Sequence, residues 1–132
     1  MKVVVIMNKS HFSSTEFMCP CGCGRADVQP ELIAALEELR AKVGKPIHIT
    51  SGFRCPFHNA DVGGARNSQH ILGRAADITV KGMFGRELYE IARTVQAFKG
   101  FGQGKNYLHV DIRTTLPAKW MYDDQGNQVT WA

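Results

Sequence analysis

The chain has 132 residues, 44% of them hydrophobic, which is enough for one globular domain with a hydrophobic core. Its formal net charge is +4, but the Lys and Arg residues are too scattered to predict a nucleic-acid surface. No stretch approaches the roughly 18 apolar residues of a membrane-spanning helix. We therefore expect a single domain over residues 1–132, monomeric, with neither nucleic acid nor a membrane as its partner.

The first segment, MKVVVIM, is apolar but short, and Asn-Lys-Ser-His follows it rather than a small-residue cleavage site. We interpret it as a first strand and not as a signal peptide. The sequence thus predicts synthesis in the cytoplasm without an export signal of its own.

Two segments have the spacing of amphipathic helices. In QPELIAALEELRAKVGKP, Pro30 stands in the first turn, and Gly44 and Pro46 end the apolar pattern. The apolar residues at helical spacing are Leu32, Ile33, Leu36, Leu39 and Val43. GRELYEIARTVQAF predicts a second helix, and STEF predicts a turn before the first.

Strands are predicted for IHITSGF, AADITV and NYLHVDIR. The segment CPFHNADVGGARNSQH, with its Pro, paired Gly and Asn, predicts a loop. The tail DDQGNQVTW predicts a turn that leads into a short terminal strand. Helices and strands are mixed without a regular βαβ order, which predicts an α+β fold.

The alternation of side chains along a strand gathers polar residues on one face. In AADITV, Asp77 lies opposite the apolar residues, and in YLHVDIR, His109 and Asp111 do the same. If these two strands are neighbours in a sheet, Asp77 and His109 can meet. His70 can reach the same place from the loop before Asp77.

Two imidazoles and one carboxylate form a three-ligand zinc set, and a catalytic zinc keeps its fourth position for water. A metal would also compensate the charge of Asp77, which is costly to bury alone. The residues by themselves leave an alternative open, in which His109 and Asp111 simply lie on a solvated strand face.

Three cysteines, Cys19, Cys21 and Cys23, lie in CPCGCG, and the fourth is Cys55. The C-x-C-x-C spacing differs from the C-x2-C spacing of common zinc ribbons. The sequence leaves three alternatives open: reduced and partly buried thiols, a disulfide to Cys55, or a second metal.

The segment SQHILGRAAD fits the pattern S-x-H-x-x-G-x-A-x-D, and SGFRC and LHVDIR stand before and after it. With these motifs the chain resembles the zinc D-alanyl-D-alanine carboxypeptidase family, which also includes L-alanyl-D-glutamate endopeptidases. VGGARNSQH and EFMCPCGCG are similar to a small single-domain branch of that family. The resemblance implies the fold shared with the Hedgehog signalling domain, a small, mostly antiparallel sheet with helices on one side.

The same resemblance implies His70, Asp77 and His109 as the ligands of Zn²⁺. It places Arg54 and Ser68 beside the substrate. Arg54 is expected to act in catalysis by binding a substrate carboxylate or by stabilising the tetrahedral oxyanion.

One position departs from the family pattern. Many members carry Glu or Asp as general base three residues before the last zinc histidine, where this chain has Asn106. We predict Asp111 as the replacement, with two alternatives: that it orients His109, or that it is solvated. Tyr107 could bind an oxyanion or pack at the rim of the cleft. His48 and His58 are weaker candidates for the general base.

The resemblance implies zinc-dependent hydrolysis of peptidoglycan stem peptides that contain a D-residue, and it leaves carboxypeptidase or endopeptidase action open. We expect the enzyme to act on the cell wall after release, as a phage or prophage lysis enzyme does. The alternative, which Asn106 favours, is a non-catalytic zinc-binding module that binds cell-wall or protein partners.

Overall fold

The structure, a computed structural model, describes residues 11–64 and 68–130. These ranges contain a six-stranded sheet, three α-helices and a 3₁₀ helix at Ser14–Phe17. The helices are α1 (Pro30–Val43), α2 (Pro56–Asp61) and α3 (Gly85–Ala92). The strands are β1 (His48–Ser51), β2 (Ala75–Thr79), β3 (Gly100–Gln103), β4 (Leu108–Asp111), β5 (Ala118–Tyr122) and β6 (Gln128–Val129). The α+β prediction is confirmed, and the strand predicted for MKVVVIM lies outside the described residues.

The sheet is mostly antiparallel, as expected, with the strand order β1-β2-β4-β3-β5-β6. Each neighbouring pair is antiparallel except β3 and β5, which run parallel. The register of β1 shifts between Ile49 and Ser51, so that Ser51 stands opposite Asp77. This irregularity brings the chain that follows β1 towards the polar face of β2.

The core lies between the apolar face of the sheet and the helices α1 and α3. Leu32, Leu36 and Leu39 of α1 are fully buried. They belong to one apolar cluster with Ile78 of β2 and Val110 of β4. Because these two strand residues take one face of the sheet, the alternate residues of β2 and β4 are left on the other face.

The central strands and α1 follow the predicted pattern, but four elements differ from it. The predicted loop after β1 contains α2, which Pro56 begins in a position where a missing N–H costs nothing. The strands β3 and β5 were not predicted. The second helix ends at Ala92 instead of continuing to Phe98. Just beyond its end the Thr94 hydroxyl donates a hydrogen bond to the Ile91 carbonyl at 2.7 Å, a local bond that competes with regular helix geometry.

A pair of leucines tests this description of the core. Leu36 is fully buried, whereas Leu116 is 85% exposed. We expect Leu36→Ala to lower the free energy of unfolding by about 2–5 kcal/mol, since it removes buried methyl groups and leaves a cavity. Leu116→Ala should change it by less than about 0.5 kcal/mol. Urea denaturation of both variants measures the difference, and equal losses would contradict the placement of α1 in the core.

Candidate metal centre

One row of residues across the polar face of the sheet builds the site. Asp77 on β2 is paired with His109 on β4, and His109 is paired with Gly102 on β3. Gly102 is in turn paired with Trp120 on β5. Directly opposed side chains of neighbouring strands project from the same face. The strands β2 and β4 are thus neighbours, and Asp77 meets His109 as the alternation pattern predicts.

His70 joins this pair from the turn before β2. Its Nε2 lies 3.3 Å from Asp77 Oδ1, and His109 Nδ1 lies 2.9 Å from the same oxygen. The three ligand atoms are all within 4.8 Å of one another. Zinc bonds of about 2.0–2.2 Å to nitrogen and oxygen put the ligand atoms of a tetrahedral site about 3.3–3.6 Å apart. The group therefore fits one divalent cation.

The second nitrogen of each imidazole is held by a hydrogen-bond acceptor. His70 Nδ1 donates to the Gly52 carbonyl at 2.7 Å, and His109 Nε2 donates to Asp111 Oδ2 at 2.8 Å. These bonds fix the ring orientations and turn the remaining nitrogens towards Asp77, which is how histidine ligands are oriented in metal sites. His70 and His109 are both buried, so the orientation is determined by protein atoms.

The charges of the site are strongly coupled. Burial by itself would raise the pKa of Asp77, but hydrogen bonds and charges from His109 and His70 hold this pKa well below its usual range. Burial would lower the pKa of His109, but Asp111 and Asp77 raise it to about 9. The carboxylate of Asp77 is thus compensated by the imidazoles, and a cation bound by the same atoms would compensate it equally well.

Asp111 lies against His109 and Arg113 and is not part of the lining of the cleft described below. It is fully buried, and its Oδ1 accepts from Arg113 Nε at 2.8 Å while its Oδ2 accepts from Arg113 Nη2 at 2.7 Å and from His109. Gly100 on β3 packs so closely that an added Cβ would collide with this carboxylate. Both oxygens of Asp111 therefore already accept hydrogen bonds from His109 or Arg113. This geometry favours the alternative in which Asp111 orients His109, over the prediction that it acts as base.

The metal-competent group opens into a polar cleft of about 730 Å³. Arg54, Ser68 and Tyr107 line this cleft together with the three potential ligands. Asn106 is exposed and lies outside the lining, as do the weaker candidates His48 and His58. The three residues expected to bind substrate therefore share one cleft with the three potential metal ligands. The weaker base candidates His48 and His58 do not line it, and neither does Asn106.

Arg54 is held by three partners at the edge of the cleft. Its Nε donates to Ser51 Oγ at 3.2 Å, and its Nη1 donates to Asn59 Oδ1 at 3.3 Å. Its Nη2 lies 3.5 Å from Asp77 Oδ2. With 17% of the side chain exposed, the guanidinium is fixed but still accessible to a bound anion.

Two aromatic residues that line the cleft were not predicted from the sequence, because their strand β5 was not predicted. Trp120 and Tyr122 of β5 line the cleft, and the Trp120 ring lies 5.1 Å from the His109 ring. Gly102 makes this approach possible, since an added Cβ would contact the indole. The alternation of Trp120 and Tyr122 in AKWMY is the strand signal that would have found them.

Two buried imidazoles and a carboxylate thus meet at a polar cleft on one face of an α+β sheet, in an arrangement that could hold one divalent cation. A family model described as Peptidase M15 matches residues 10–111. The chain therefore belongs to the Peptidase M15 family.

One similar relative is the zinc D-Ala-D-Ala carboxypeptidase of Streptomyces albus G. It is 48% identical to this chain over 44 residues, which are 33% of this chain and 17% of that enzyme. The chain thus matches less than a fifth of the length of this relative.

A helix that crosses a bilayer needs about 20 predominantly apolar residues. Within residues 11–64 and 68–130, no helix is long and apolar enough to cross a membrane, and the longest, α1, has 14 residues.

Proposed function

We propose that the protein is a zinc-dependent peptidase that hydrolyses peptidoglycan stem peptides. The observation that carries this proposal is the convergence of His70, Asp77 and His109 in a cleft of a Peptidase M15 chain. The name of the Streptomyces relative supports zinc as the metal and a D-Ala-containing peptide as the substrate class. Such a substrate implies action on the cell wall after release, as with a phage lysis enzyme.

His70 Nε2, Asp77 Oδ1 and His109 Nδ1 would hold the zinc, because these atoms face one another and the remaining imidazole nitrogens are already bonded. When bound, the zinc would lower the pKa of a water molecule and polarise the scissile carbonyl. The Gly52 carbonyl and Asp111 keep the two imidazoles in place for this role.

Substrate binding is assigned to the residues at the rim of the cleft. Arg54 presents a fixed guanidinium, suited to a substrate carboxylate or to the developing oxyanion. Burial raises the pKa of Tyr107 and of Tyr122, so both phenols keep their protons and can donate hydrogen bonds. Ser68, whose Oγ accepts the His70 backbone N–H at 3.1 Å, both orders the His70 turn and lines the cleft.

The role of Asp111 can be separated from that of a general base by Asp111→Asn. We expect the affinity for zinc to fall by about 10–100-fold, since the amide orients His109 less well. Activity at saturating zinc should recover most of the wild-type value. Zinc titrations measure the affinity, and rates of hydrolysis at several zinc concentrations measure the recovery of activity. An unchanged zinc affinity combined with a large loss of kcat at saturating zinc would instead identify Asp111 as the base.

Purified peptidoglycan tests the proposed function directly. Incubation with the zinc-loaded protein, followed by mass analysis, should show one of two products. A carboxypeptidase releases free D-alanine and leaves the glycan network insoluble. An endopeptidase that cuts between L-Ala and D-Glu releases soluble peptides with a new amino terminus on D-Glu. The products therefore also name the bond.

A second candidate function is a zinc-binding module without peptidase activity. It is favoured by one observation: among the described residues that line the cleft, Asp77 is the only carboxylate. Asn106 is an exposed amide and Asp111 accepts hydrogen bonds from His109 and Arg113, so the described lining offers no second acid that is free to accept a proton. Bound zinc with neither D-alanine nor peptides released from peptidoglycan would support this module and contradict the peptidase.

A further inference from the structure

The four cysteines converge at a second place, apart from the cleft. The Sγ atoms of Cys19, Cys21 and Cys55 form a triangle with sides of 3.5, 3.7 and 3.5 Å. Cys23 completes the group, and all four Sγ atoms lie within 4.8 Å of one another. Cys55 is 36 residues from Cys19, so the convergence depends on the fold and not only on the short C-x-C-x-C spacing.

We propose that these four cysteines bind a structural zinc ion. Zinc–sulfur bonds of about 2.3 Å place the sulfurs of a tetrahedral site about 3.8 Å apart, close to the three distances observed. Four soft sulfur ligands in this arrangement select zinc over magnesium or calcium. Because four thiolates leave no open coordination position, the role of this ion is structural.

The surroundings of the sulfurs suit a site that carries negative charge. A zinc ion with four thiolates has a net charge of about −2. Two backbone N–H groups compensate part of it: Cys55 N–H donates to Cys19 Sγ at 3.4 Å, and His58 N–H donates to Cys55 Sγ at 3.5 Å. The Arg25 guanidinium lies 4.9 Å from the centre of the Phe53 ring, which packs against Cys19 and Cys55.

The backbone of residues 19–24, which carries three of the four cysteines, turns at two glycines with positive φ. Gly22 and Gly24 have φ values of 92° and 78°, which only glycine adopts readily. These two turns allow Cys21 and Cys23 to present their sulfurs to the same place as Cys19. Other residues at positions 22 and 24 would strain this path.

The proposed zinc joins the segment of residues 19–23 to the chain that leaves β1. Cys55 directly follows Arg54, whose backbone N–H donates to the His70 carbonyl at 3.2 Å. The ion would therefore anchor the loop that presents Arg54 to the cleft. It would do so without contacting substrate, as a positioning element.

Metal content of the full-length protein tests this site independently of catalysis. Wild type should bind two zinc ions per chain, and His70→Ala should bind one. The double variant Cys21→Ser/Cys23→Ser replaces the two exposed cysteines and should also bind one. Cobalt substitution gives a second readout, since only thiolate-bound cobalt shows intense sulfur-to-metal charge-transfer absorption. We expect this absorption in wild type and in His70→Ala, and its loss in the cysteine variant.

Measurements on the wild-type protein alone can also contradict the proposed cysteine-bound zinc, even if the cysteine variant does not fold. Cobalt-loaded wild type without the charge-transfer absorption would overturn it. Disulfides detected by mass analysis after alkylation without reductant would also overturn it, as would iron in place of zinc. These outcomes do not bear on the proposed peptidase, whose failure would show as missing reaction products with the cysteine-bound zinc still present.

Discussion

Replacing His70 by alanine is expected to remove the zinc of the cleft and to lower peptidase activity by about 10³-fold or more. A catalytic metal contributes several kcal/mol to stabilisation of the transition state, and each ~1.4 kcal/mol corresponds to a factor of ten in rate. The substitution removes one of the three potential ligand atoms, because His70 Nε2 faces Asp77 while Nδ1 is bonded to the Gly52 carbonyl. Metal analysis and the rate of product release from peptidoglycan measure the two effects.

His48→Ala is the matched control for this variant. His48 is an exposed histidine on β1, outside the cleft, and its loss should leave both zinc content and activity unchanged. Retention of wild-type zinc content by His70→Ala would remove His70 from the ligand set. Loss of zinc with full activity would show that hydrolysis does not need the metal.

Replacing Arg54 by alanine is expected to lower kcat/KM by about 10²–10³-fold, the effect of removing one donor that stabilises a developing oxyanion. The zinc content should stay the same, because the guanidinium lies on Asp77 Oδ2 while the histidines contact Oδ1. Arg54→Lys should recover only part of the activity, since lysine keeps the charge but lacks the planar pair of donors.

Arg93→Ala provides the control for charge alone. Arg93 is 56% exposed and pairs with Glu90 at the end of α3, so its removal should leave kcat/KM unchanged. If Arg54→Ala were to lose zinc together with activity, Arg54 would be a positioning residue for Asp77 instead of a substrate ligand. Steady-state rates and metal analysis of the same preparations separate these roles.

The elements with a strong periodic pattern could be predicted from the sequence. The helix α1 shows apolar residues at helical spacing, and AADITV and LHVDIR show strict alternation, which determined the polar face on which Asp77 and His109 meet. The predicted position of Asp111 on that face was also correct. Its proposed role as general base stays a prediction, because strand parity does not describe the side-chain orientation on which the bidentate contact with Arg113 depends.

The parts that could not be predicted depend on pairing between distant segments. GFGQ has two glycines and a weak strand pattern, yet β3 forms because β4 and β5 flank it on both sides. The glycines are required there because an added Cβ would collide with the Asp111 carboxylate at Gly100 and with the Trp120 indole at Gly102. In the same way, the cysteine spacing alone left three alternatives open, and only the fold brings Cys55 to the other three.

The long separations within both metal groups have a consequence for the order of folding. His70 and its acceptor Gly52 are 18 residues apart, Asp77 and His109 are 32 apart, and Cys19 and Cys55 are 36 apart. Closing such loops costs chain entropy before the contacts form, and topologies rich in distant pairings fold slowly. The complete ligand sets form only when these distant segments meet, so we expect metal binding to follow their assembly. Bound metal would stabilise the native state and slow its unfolding, with a stabilisation that grows with free metal concentration.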